Sequence, residues 1–363
     1  MKLAIYGAQG YALGVYKAIQ TLYPKRRISC FLVTNMDGNP SVLGGIPVKE
    51  LIVFAKETSD EEKWDMEVLI ATPEMVQPDI EEVLENYGFR CYRRLTYKRR
   101  MELMQIYHAR IGRFLPLAAL PVGYHMPFIR MYQAKSSMDK PLRENVSLPP
   151  YLFPIQVGAT GNLVHADILT DNTGENISEK NGNYCELTAL YWIWKNKLLP
   201  NGSAYNEAGQ YFGLCQYRRG FELGNDDLLK LVDNSVDAVL PYPLPYEPDI
   251  NAHHERYIKE KDWEAVQQAI EELQPEYAAV FPKILGQQYL YNYNLILAKK
   301  NVLREYCEWL FPIFFRTEEL SIPKGSMRND RYIGYLGETL ETLYFMKNAD
   351  RLNIVHTECR MLV

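Results

Sequence analysis

The sequence is poor in the residues that form disulfide bonds, membrane-spanning helices and nucleic-acid-binding surfaces. Six cysteines are scattered over 363 residues without a CxxC pair, which indicates neither a disulfide framework nor a zinc site. No apolar run approaches the roughly 18 residues of a membrane helix, and the densest run, 309–315, contains Pro312. The formal net charge of -5 argues against nucleic acid as a partner. We therefore expect a globular protein of a reducing compartment.

A targeting signal is also missing from the start of the sequence. The first ten residues, MKLAIYGAQG, have the pattern of a strand followed by a glycine turn and lack the long apolar core of a signal peptide. We expect a cytoplasmic protein that is soluble or, at most, peripheral to the inner face of the cell membrane.

Metal-binding and hydrolase motifs are missing as well. The six histidines show no metal-ligand spacing, and the adjacent pair His253 and His254 indicates a surface loop. No D-x-D triplet occurs, and residues 225–227 (NDD) come nearest to one. Neither a GxSxG motif nor a Ser/His/Asp cluster supports a hydrolase. The sequence therefore predicts no certain cofactor and leaves a divalent Mg²⁺ or Mn²⁺ ion as an alternative.

Tyrosine, in contrast, is in excess, with 27 Tyr against 13 Phe. A phenol hydroxyl contributes to a core only where it finds a hydrogen-bond partner. The excess therefore indicates surfaces that are half apolar and half hydrogen-bonding, for which ordinary amphipathic boundary positions are the simplest explanation.

Residues 1–97 alternate between strand and helix patterns. Strands are predicted over 3–6, 28–34 and 67–71, and helices from the first glycine turn to about Tyr23 and over 78–87. Strands that alternate with helices predict a parallel sheet with right-handed crossovers. This segment is therefore predicted to be a Rossmann-like domain.

Three glycines mark the first turn of that domain. Gly7, Gly10 and Gly14 follow a strand and open a helix, where backbone amides can cradle a phosphate. The spacing is GxxGxxxG, and the second strand ends in 33–35 (VTN) without the acid that holds an adenosine ribose, which argues against NAD. Binding of another nucleotide or a nucleotide sugar is one interpretation, and packing alone is the other.

Residues 91–116 are strongly basic, with Glu102 as their one acid. Apolar residues recur there at helical spacing and prolines follow, so we predict a basic amphipathic helix and linker that separates two domains over 98–125. A connecting helix with a solvated face is one interpretation. Peripheral contact of 91–116 with an anionic membrane surface or a polyanionic acceptor is the other.

Residues 126–363 are predicted to form a second domain of mixed α/β structure with a site on its loops. The predicted strands cover 128–133, 165–169, 211–217, 238–240 and 293–298. The predicted helices cover 186–197, 263–273, 302–311 and 332–346.

Polar motifs in the second domain suggest binding chemistry. The run 171–181 holds one aliphatic residue and is predicted to be a loop. Arg218 and Arg219 end a strand, where guanidinium groups suit phosphate oxygens. Tyr and Asn alternate over 289–294, which predicts opposite faces of one strand. The structural alternatives are a capped surface loop, an ion pair and a packing ladder.

The start of the last predicted helix carries two glycines and an acid. Gly334 and Gly337 indicate close approach of another group, and Glu338 could serve as a base or a hydroxyl acceptor. A salt bridge of Glu338 with Arg328 or Arg331 is the structural alternative.

Four segments, taken in order, resemble the DUF4422 family: 171–196, 211–221, 291–311 and 331–345. The resemblance covers roughly residues 126–350 and implies a GT-A-like glycosyltransferase of bacterial capsular or exopolysaccharide synthesis. Residues 1–97, with GIPVKEL at 45–51, resemble the nucleotide-sugar-binding N-terminal domain of sugar acyltransferases. The implied fold class is α/β, with an N-terminal Rossmann-like parallel-sheet domain followed by a GT-A-like mixed α/β glycosyltransferase domain.

The resemblance also implies substrates and site residues. The donor would be a nucleotide-diphosphate sugar, galactosyl or galactofuranosyl, and the acceptor a lipid-linked oligosaccharide. The residues that would line or support the donor loop are Asp171, Asn172, Asn176, Asn181, Glu186, Trp194, Lys195 and Asn196. Those that would approach the diphosphate are Tyr217, Arg218 and Arg219, and those toward the sugars are Asn292, Asn294, Arg331 and Glu338. The tyrosines we expect to face a sugar or support the site are Tyr184, Tyr191, Tyr217, Tyr289, Tyr291, Tyr293, Tyr332 and Tyr335.

Without an acidic triplet, the expected reaction relies on protein cations. Arg218 and Arg219 would stabilise the leaving diphosphate electrostatically. An inverting transfer also needs a base, for which Glu338 comes first, followed by Asp249 and Glu186. The family usually has His where Gln216 stands, which favours an alternative, a non-catalytic nucleotide-sugar-binding or assembly protein of the same pathway.

Overall fold

A computed structural model describes residues 2–139, 142, 148–162, 168–199, 209–324 and 328–362. The chain divides into two compact units. The first unit is Met1–Arg113 with Leu244–Pro248, and the second is Phe114–Pro243 with Asp249–Val363. Most of the strand predicted over 165–169 lies outside the described residues.

The first unit alternates strands and helices. Its strands are β1 Lys2–Tyr6, β2 Ile28–Val33, β3 Val42–Leu43, β4 Ile46–Glu50, β5 Met66–Ile70 and β6 Cys91–Arg94. Its helices are α1 Gly10–Leu22, α2 Leu51–Glu57, α3 Asp60–Trp64, α4 Gln77–Asn86 and α5 Tyr97–Ile111. In the described residues these strands form one sheet in the order β3-β4-β2-β1-β5-β6, parallel except where β3 meets β4.

The central strands of this sheet are buried on both faces, as parallel strands between helical layers require. Leu3 and Ile5 of β1 pack into one apolar core, and Ala4 and Tyr6 pack into another. This alternation places a core on each face, so the apolar runs predicted as strands near residues 3–6, 28–34 and 67–71 are indeed the centre of the sheet.

The basic segment 91–116 is not one helix. Residues Cys91–Arg94 form β6, Thr96 caps α5 through its side chain, and the helix ends at Ile111. Arg93 and Arg94 form ion pairs with Glu67 and Glu81. The prediction of a continuous basic helix is therefore wrong for its first turn, because these arginines lie on a sheet edge beside acids. Several basic residues of this segment are nevertheless exposed: Lys98, Arg99, Arg110 and Arg113.

The second unit is built around a larger mixed sheet. Its strands are β7 Phe128–Lys135, β8 Leu152–Gln156, β9 Leu169–Thr170, β10 Gln210–Gln216, β11 Arg219–Gly220, β12 Ala238–Pro241, β14 Tyr289–Leu290, β15 Ile296–Lys299, β16 Ile354–Thr357 and β17 Arg360–Met361. The short strand β13, Leu244–Pro245, belongs to the first unit. Its helices are α6 Asn181–Tyr184, α7 Leu187–Ile193, α8 Asn225–Asp233, α9 Ile250–His254, α10 Glu260–Leu273, α11 Pro275–Ala278, α12 Phe281–Leu285, α13 Lys300–Leu320 and α14 Tyr332–Lys347, with a π-helix, Trp194–Leu198, continuing α7.

The order of strands in this sheet contains a topological switch point. Among the described residues the order is β16-β12-β15-β10-β7-β8-β9, and β10, β7, β8 and β9 are mutually parallel. The chain leaves β7 for β8 on one side and later returns to β10 on the other. Ligands of open α/β sheets bind outside the carboxyl ends of the strands at such a switch point. The switch point of this sheet lies at Lys135 and Gln216, where β7 and β10 end.

Two predictions for this unit are wrong. The segment 289–294 is not one strand, because only Tyr289–Leu290 is extended, and Tyr293 and Asn294 have left-handed φ values of 78° and 48°. They form a turn before β15, so Tyr and Asn do not lie on opposite strand faces. The helix predicted to end at Phe311 continues through Pro312 to Leu320 as α13, whose apolar face is buried.

Candidate active site

The polar loop before α6 is organised around Asp171, which is fully buried. Its carboxylate accepts hydrogen bonds from the Gly158 and Ala159 backbone amides at 2.9 and 3.1 Å. It also accepts from the hydroxyls of Ser178 at 2.5 Å and Thr188 at 2.6 Å. Four donors saturate both oxygens, so the structure gives Asp171 a role in holding the loop.

The other predicted donor-loop residues also bind within the chain. Asn181 donates to the Cys185 carbonyl at 2.8 Å, and Asn176 donates to the Gly174 carbonyl at 2.9 Å. Asn196 donates to the Glu175 carbonyl at 2.9 Å, and Lys195 forms a 3.0 Å ion pair with the Glu175 carboxylate. This ion pair and the Tyr191 hydroxyl hold the pKa of Glu175 below its usual value.

Two further residues complete that set. Trp194 is buried and stacks on the ring of Phe311, with centroids 5.4 Å apart. Asn172, beside Asp171, is half-buried. The loop 171–181 and helix α7 thus form a scaffold, the braced loop, that is stabilised by internal hydrogen bonds. Most of the side chains predicted to bind the donor instead form hydrogen bonds with backbone groups of this scaffold.

A second group of predicted residues converges on Glu186, which lies just before α7 and is buried. The Glu186 Oε1 accepts from the side-chain amides of Gln216 at 2.8 Å and Asn294 at 2.9 Å. Arg219 donates to Gln216 Oε1 at 2.6 Å, and its guanidinium lies 4.1 Å from the centroid of the Tyr293 ring. Gln216 therefore couples a carboxylate to an arginine at the carboxyl end of β10.

Glu338, on α14, lies next to this group. Its carboxylate accepts from the Tyr293 backbone amide at 2.9 Å and from the Asn292 side chain at 3.1 Å. The Glu338 pKa is raised to about 7, chiefly by loss of hydration and also by the nearby Glu186, while the two hydrogen bonds and Arg219 oppose the rise. By surface area the residue is half-buried. A carboxyl that titrates near neutral pH is suited to general-base catalysis.

The two glycines of α14 permit this arrangement. A Cβ on Gly337 would lie 2.5 Å from Asn294 Oδ1, and one on Gly334 would lie 3.1 Å from Cys185 Sγ. The close approach predicted from these glycines is therefore that of the chain itself. Of the two arginines offered as ion-pair partners for Glu338, Arg328 instead forms a buried pair with Asp262.

Three cationic side chains surround a further carboxyl, that of Asp139. Arg218, Lys135 and Arg331 all act on the carboxyl of Asp139, where they oppose the rise in its pKa caused by burial. Lys135 ends β7, and Arg218 follows β10. Arg331 is exposed, has a left-handed φ of 64°, and donates from Nε to Cys185 Sγ at 3.2 Å. The half-buried Tyr217 lies beside them, 5.5 Å below the Arg218 guanidinium.

The structure thus separates the predicted residues into a braced loop and a polar site. The polar site contains Glu186, Gln216, Tyr217, Arg218, Arg219, Asn292, Asn294, Arg331 and Glu338, at or next to the carboxyl edge of β7 and β10. Sequence reasoning missed Lys135, Asp139 and Glu341, which carry no motif of their own. Lys135 could have been found from its position, because it is the last residue of a strand that lies between two parallel strands.

The glycines of the first unit contact their own chain. A Cβ on Gly10 would lie 3.0 Å from the Pro245 carbonyl, and one on Gly14 would lie 3.6 Å from the Pro245 ring. A Cβ on Gly7, where φ is +118°, would lie 2.9 Å from the Ala71 carbonyl. These contacts favour the interpretation of residues 7–14, the glycine turn, as a packing device.

Several tyrosines expected to face a sugar are core residues instead. Tyr184, Tyr291 and Tyr332 are at most 2% exposed, and Tyr191 is also buried. They pack against other rings, as in the contact of Tyr184 with Phe314 at 5.8 Å. Tyr217, Tyr289, Tyr293 and Tyr335 keep partial exposure.

Side chains suited to a divalent ion do not gather at this site. Within the described ranges, no group of three or more His, Cys, Asp or Glu side chains is placed to hold a metal ion. Nor does any helix in the described part of the chain combine the length and apolar character needed to span a bilayer.

Comparison with known proteins agrees with the predicted family. The model of the DUF4422 family, a domain of unknown function, matches residues 140–349. The solved apo structure of the WbbM bifunctional glycosyltransferase is similar, with a TM-score of 0.53 and 24% identity. That likeness covers 65% of this chain and 45% of WbbM, so this chain matches less than half of the other. None of the curated proteins compared with the chain matches it.

These comparisons confirm the predicted fold class. The chain has a glycosyltransferase-like mixed α/β fold preceded by a Rossmann-like parallel sheet. Because the family model spans more than half of the 363 residues and includes the polar site, the family assignment is secure. The chain belongs to the DUF4422 family.

Proposed function

We propose that this chain is a glycosyltransferase that moves a sugar from a nucleotide-diphosphate donor to a glycan acceptor. The observation that carries the proposal is the polar site itself, in which a partly exposed glutamate and several cations meet at the switch point of a parallel sheet. The glycosyltransferase-like fold and the family membership support it.

The cations suit the leaving group of such a transfer. A nucleoside diphosphate departs with negative charge, and preorganised cations stabilise that charge in the transition state. Arg218 and Lys135 follow parallel strands that end at the same edge, and both act on the Asp139 carboxyl, as does Arg331. We assign the diphosphate to these three side chains, with the Asp139 carboxylate marking where a phosphate would lie.

Glu338 suits the acceptor side of the reaction. As a base, its carboxylate takes the proton of the acceptor hydroxyl while the new glycosidic bond forms and the bond to the diphosphate breaks. Asn292 and the Tyr293 amide hold that carboxylate in place. Arg219 is placed to act on Glu338 and on Gln216, which makes it a positioning residue in addition to any contact with substrate.

The finer parts of the proposal concern the substrates and the surroundings. We propose a galactosyl or galactofuranosyl donor and a lipid-linked oligosaccharide acceptor of bacterial capsular or exopolysaccharide synthesis. Contact with an anionic membrane surface through the exposed cations Lys98, Arg99, Arg110 and Arg113 belongs to the same proposal.

The direct test is donor turnover by Arg218→Ala. We expect at least a hundredfold loss of nucleotide release from a panel of nucleotide sugars, with or without Mg²⁺ or Mn²⁺, and an unchanged melting temperature. Arg130→Ala is the matched control, because Arg130 is an exposed arginine near the opposite end of β7. Turnover by Arg218→Ala equal to that of the wild type would contradict the assignment.

The second candidate is a non-catalytic nucleotide-sugar-binding or assembly protein of the same pathway. Gln216, where the family usually has His, favours it, because Gln cannot titrate and here serves as a bridge between Glu186 and Arg219. A binder would show a donor-dependent rise in melting temperature without nucleotide release. Nucleotide release by the wild type, together with its loss in Arg218→Ala, would show that the protein is an enzyme and not only a binding protein.

A further inference from the structure

Glu341 is a buried acid without hydrogen-bonding support. It lies on α14 one helical turn after Glu338 and is 1% exposed. In the described residues, neither of its carboxyl oxygens has a hydrogen-bond partner. Buried polar groups are rarely left in this state, because the loss of water is then not compensated. Such a group close to a site is therefore a candidate for a functional role.

The neighbouring glutamates use the available donors. Glu338 accepts from the Asn292 side chain and the Tyr293 amide, and Glu186 accepts from the Gln216 and Asn294 side chains. We call Glu186, Glu338 and Glu341 the glutamate cluster. Arg219 also acts on Glu338. Two members of the cluster thus accept hydrogen bonds, whereas the third accepts none within the described residues.

Among the described residues, the titratable groups that act on Glu341 are acids: Glu338 from the same helix and Glu186 from the residue before α7. Glu341 in turn helps to raise the pKa of Tyr306 on α13. Burial and the two glutamates raise the pKa of Glu341 well above its usual value. An ionised carboxyl in this position would be unpaired and buried, which is the costliest state a charge can have in a protein.

We propose that Glu341 is a positioning residue that holds a proton, so that it adds no negative charge beside Glu338. Its relevance to catalysis rests on the proposed function of Glu338 as a base. A second negative charge one turn away would drive Glu338 into its protonated form and remove the base. The Glu341 proton is retained throughout, and the acceptor proton goes to Glu338.

The proton can be observed without any substrate. Infrared spectra of the purified full chain at about pH 8 should show the stretching band of a protonated carboxyl, because Glu338 is largely ionised at that pH whereas Glu341 is not. Glu341→Gln should remove this band, and Glu338→Gln should keep it. A band that Glu341→Gln leaves unchanged, or no band in the wild type, would overturn the proposal.

Unfolding as a function of pH provides a second readout. A carboxyl whose pKa is raised in the folded state contributes stability that is fully present below its unfolded pKa and is lost as the pH rises toward the folded value. The melting temperature of the wild type should therefore fall as the pH rises above about 5, and that of Glu341→Gln should fall less. Parallel curves for the two proteins would contradict a retained proton.

Kinetics then separate this inference from the proposed function. Gln is neutral and of similar size, so Glu341→Gln should turn over donor within about threefold of the wild type, and the acidic limb of its pH profile should not shift. A limb displaced to lower pH would mean that Glu341 carries a charge in the wild type, and the inference would be wrong. If no variant and no wild type turns over donor, the proposed function fails, while the infrared result still decides the state of Glu341.

Discussion

The two units both contain a parallel sheet with a switch point, yet their carboxyl edges differ in chemistry. In the first unit, the glycine turn packs against residues 71 and 245 of its own unit. In the second unit, Lys135 and Arg218 lie at the ends of β7 and β10 and act on Asp139, and Glu338 of α14, with a pKa of about 7, is acted on by Arg219. The strand, glycine turn and helix of the first unit therefore identify its fold and do not by themselves identify a binding site. Partly buried charged groups in close contact, as in the second unit, are the better indication of a catalytic site.

Among the substitutions that test this difference between the two units, Glu338→Gln should have the largest effect on activity. Removing the base should lower glycosyl transfer by about 10²–10⁴-fold, with the melting temperature at pH 7 unchanged or raised. Transfer is measured by nucleotide release in the presence of acceptor. Glu82→Gln, an exposed glutamate of the first unit, is the control and should have no effect. Transfer that survives Glu338→Gln would remove this residue from the chemistry.

Asp171→Asn should act on stability and not on chemistry. The substitution leaves one oxygen to serve the four donors now bound by the carboxylate, so at least one or two of them lose their acceptor. We expect a loss of about 2–4 kcal/mol in the free energy of unfolding, measured with urea. Turnover per folded molecule should change little. A selective loss of donor affinity in a fully stable variant would restore Asp171 to the donor site.

The contrast between these two acids shows what the sequence could predict. Apolar runs and the glycine turn located the sheet of the first unit, because buried parallel strands need continuous apolar residues. The polar motifs pointed to Glu186, Arg219 and Glu338, and the structure brings these three residues together. The state of each acid, however, depends on partners far away in the chain, such as Gly158 for Asp171 and Tyr293 for Glu338. No spacing rule predicts those partners.

Local pattern also failed where tertiary contacts changed the backbone. The alternation over 289–294 predicts a strand, but Tyr293 and Asn294 turn to present an amide to Glu338 and a side chain to Glu186. The six-residue pattern could not reveal this, because both acceptors lie elsewhere in the sequence. The same cause underlies Arg93 and Arg94, whose strand position is set by β5.

The pH dependence should separate catalysis from stability. The pKa of Glu338 rises from 4.5 to about 7 on folding, and its carboxylate form is the base. Transfer should therefore increase as the pH rises through about 7. The contribution of Glu338 to stability runs the other way, being fully present below its unfolded pKa and lost as the pH rises through about 7. Rates and melting temperatures that fall together over this range would contradict the assignment.

The smallest effect is expected in the glycine turn. A Cβ on Gly14 meets the Pro245 ring at 3.6 Å, an ordinary contact, so Gly14→Ala adds no strain. Alanine is favoured over glycine inside a helix by about 1 kcal/mol, so the first unit should be as stable as before or slightly more stable. Donor turnover should not change. A marked loss of donor affinity would give the glycine turn a role in binding.

Hydrogen–deuterium exchange with and without ligand tests the central claim most directly, because it reports on both edges at once. The ligand is the nucleoside diphosphate that gives the largest melting shift among a panel. The account predicts protection of backbone amides over 133–139 and 214–221, at the carboxyl ends of β7 and β10, and none over 5–15. Protection confined to 5–15 would contradict it and transfer the nucleotide site to the glycine turn.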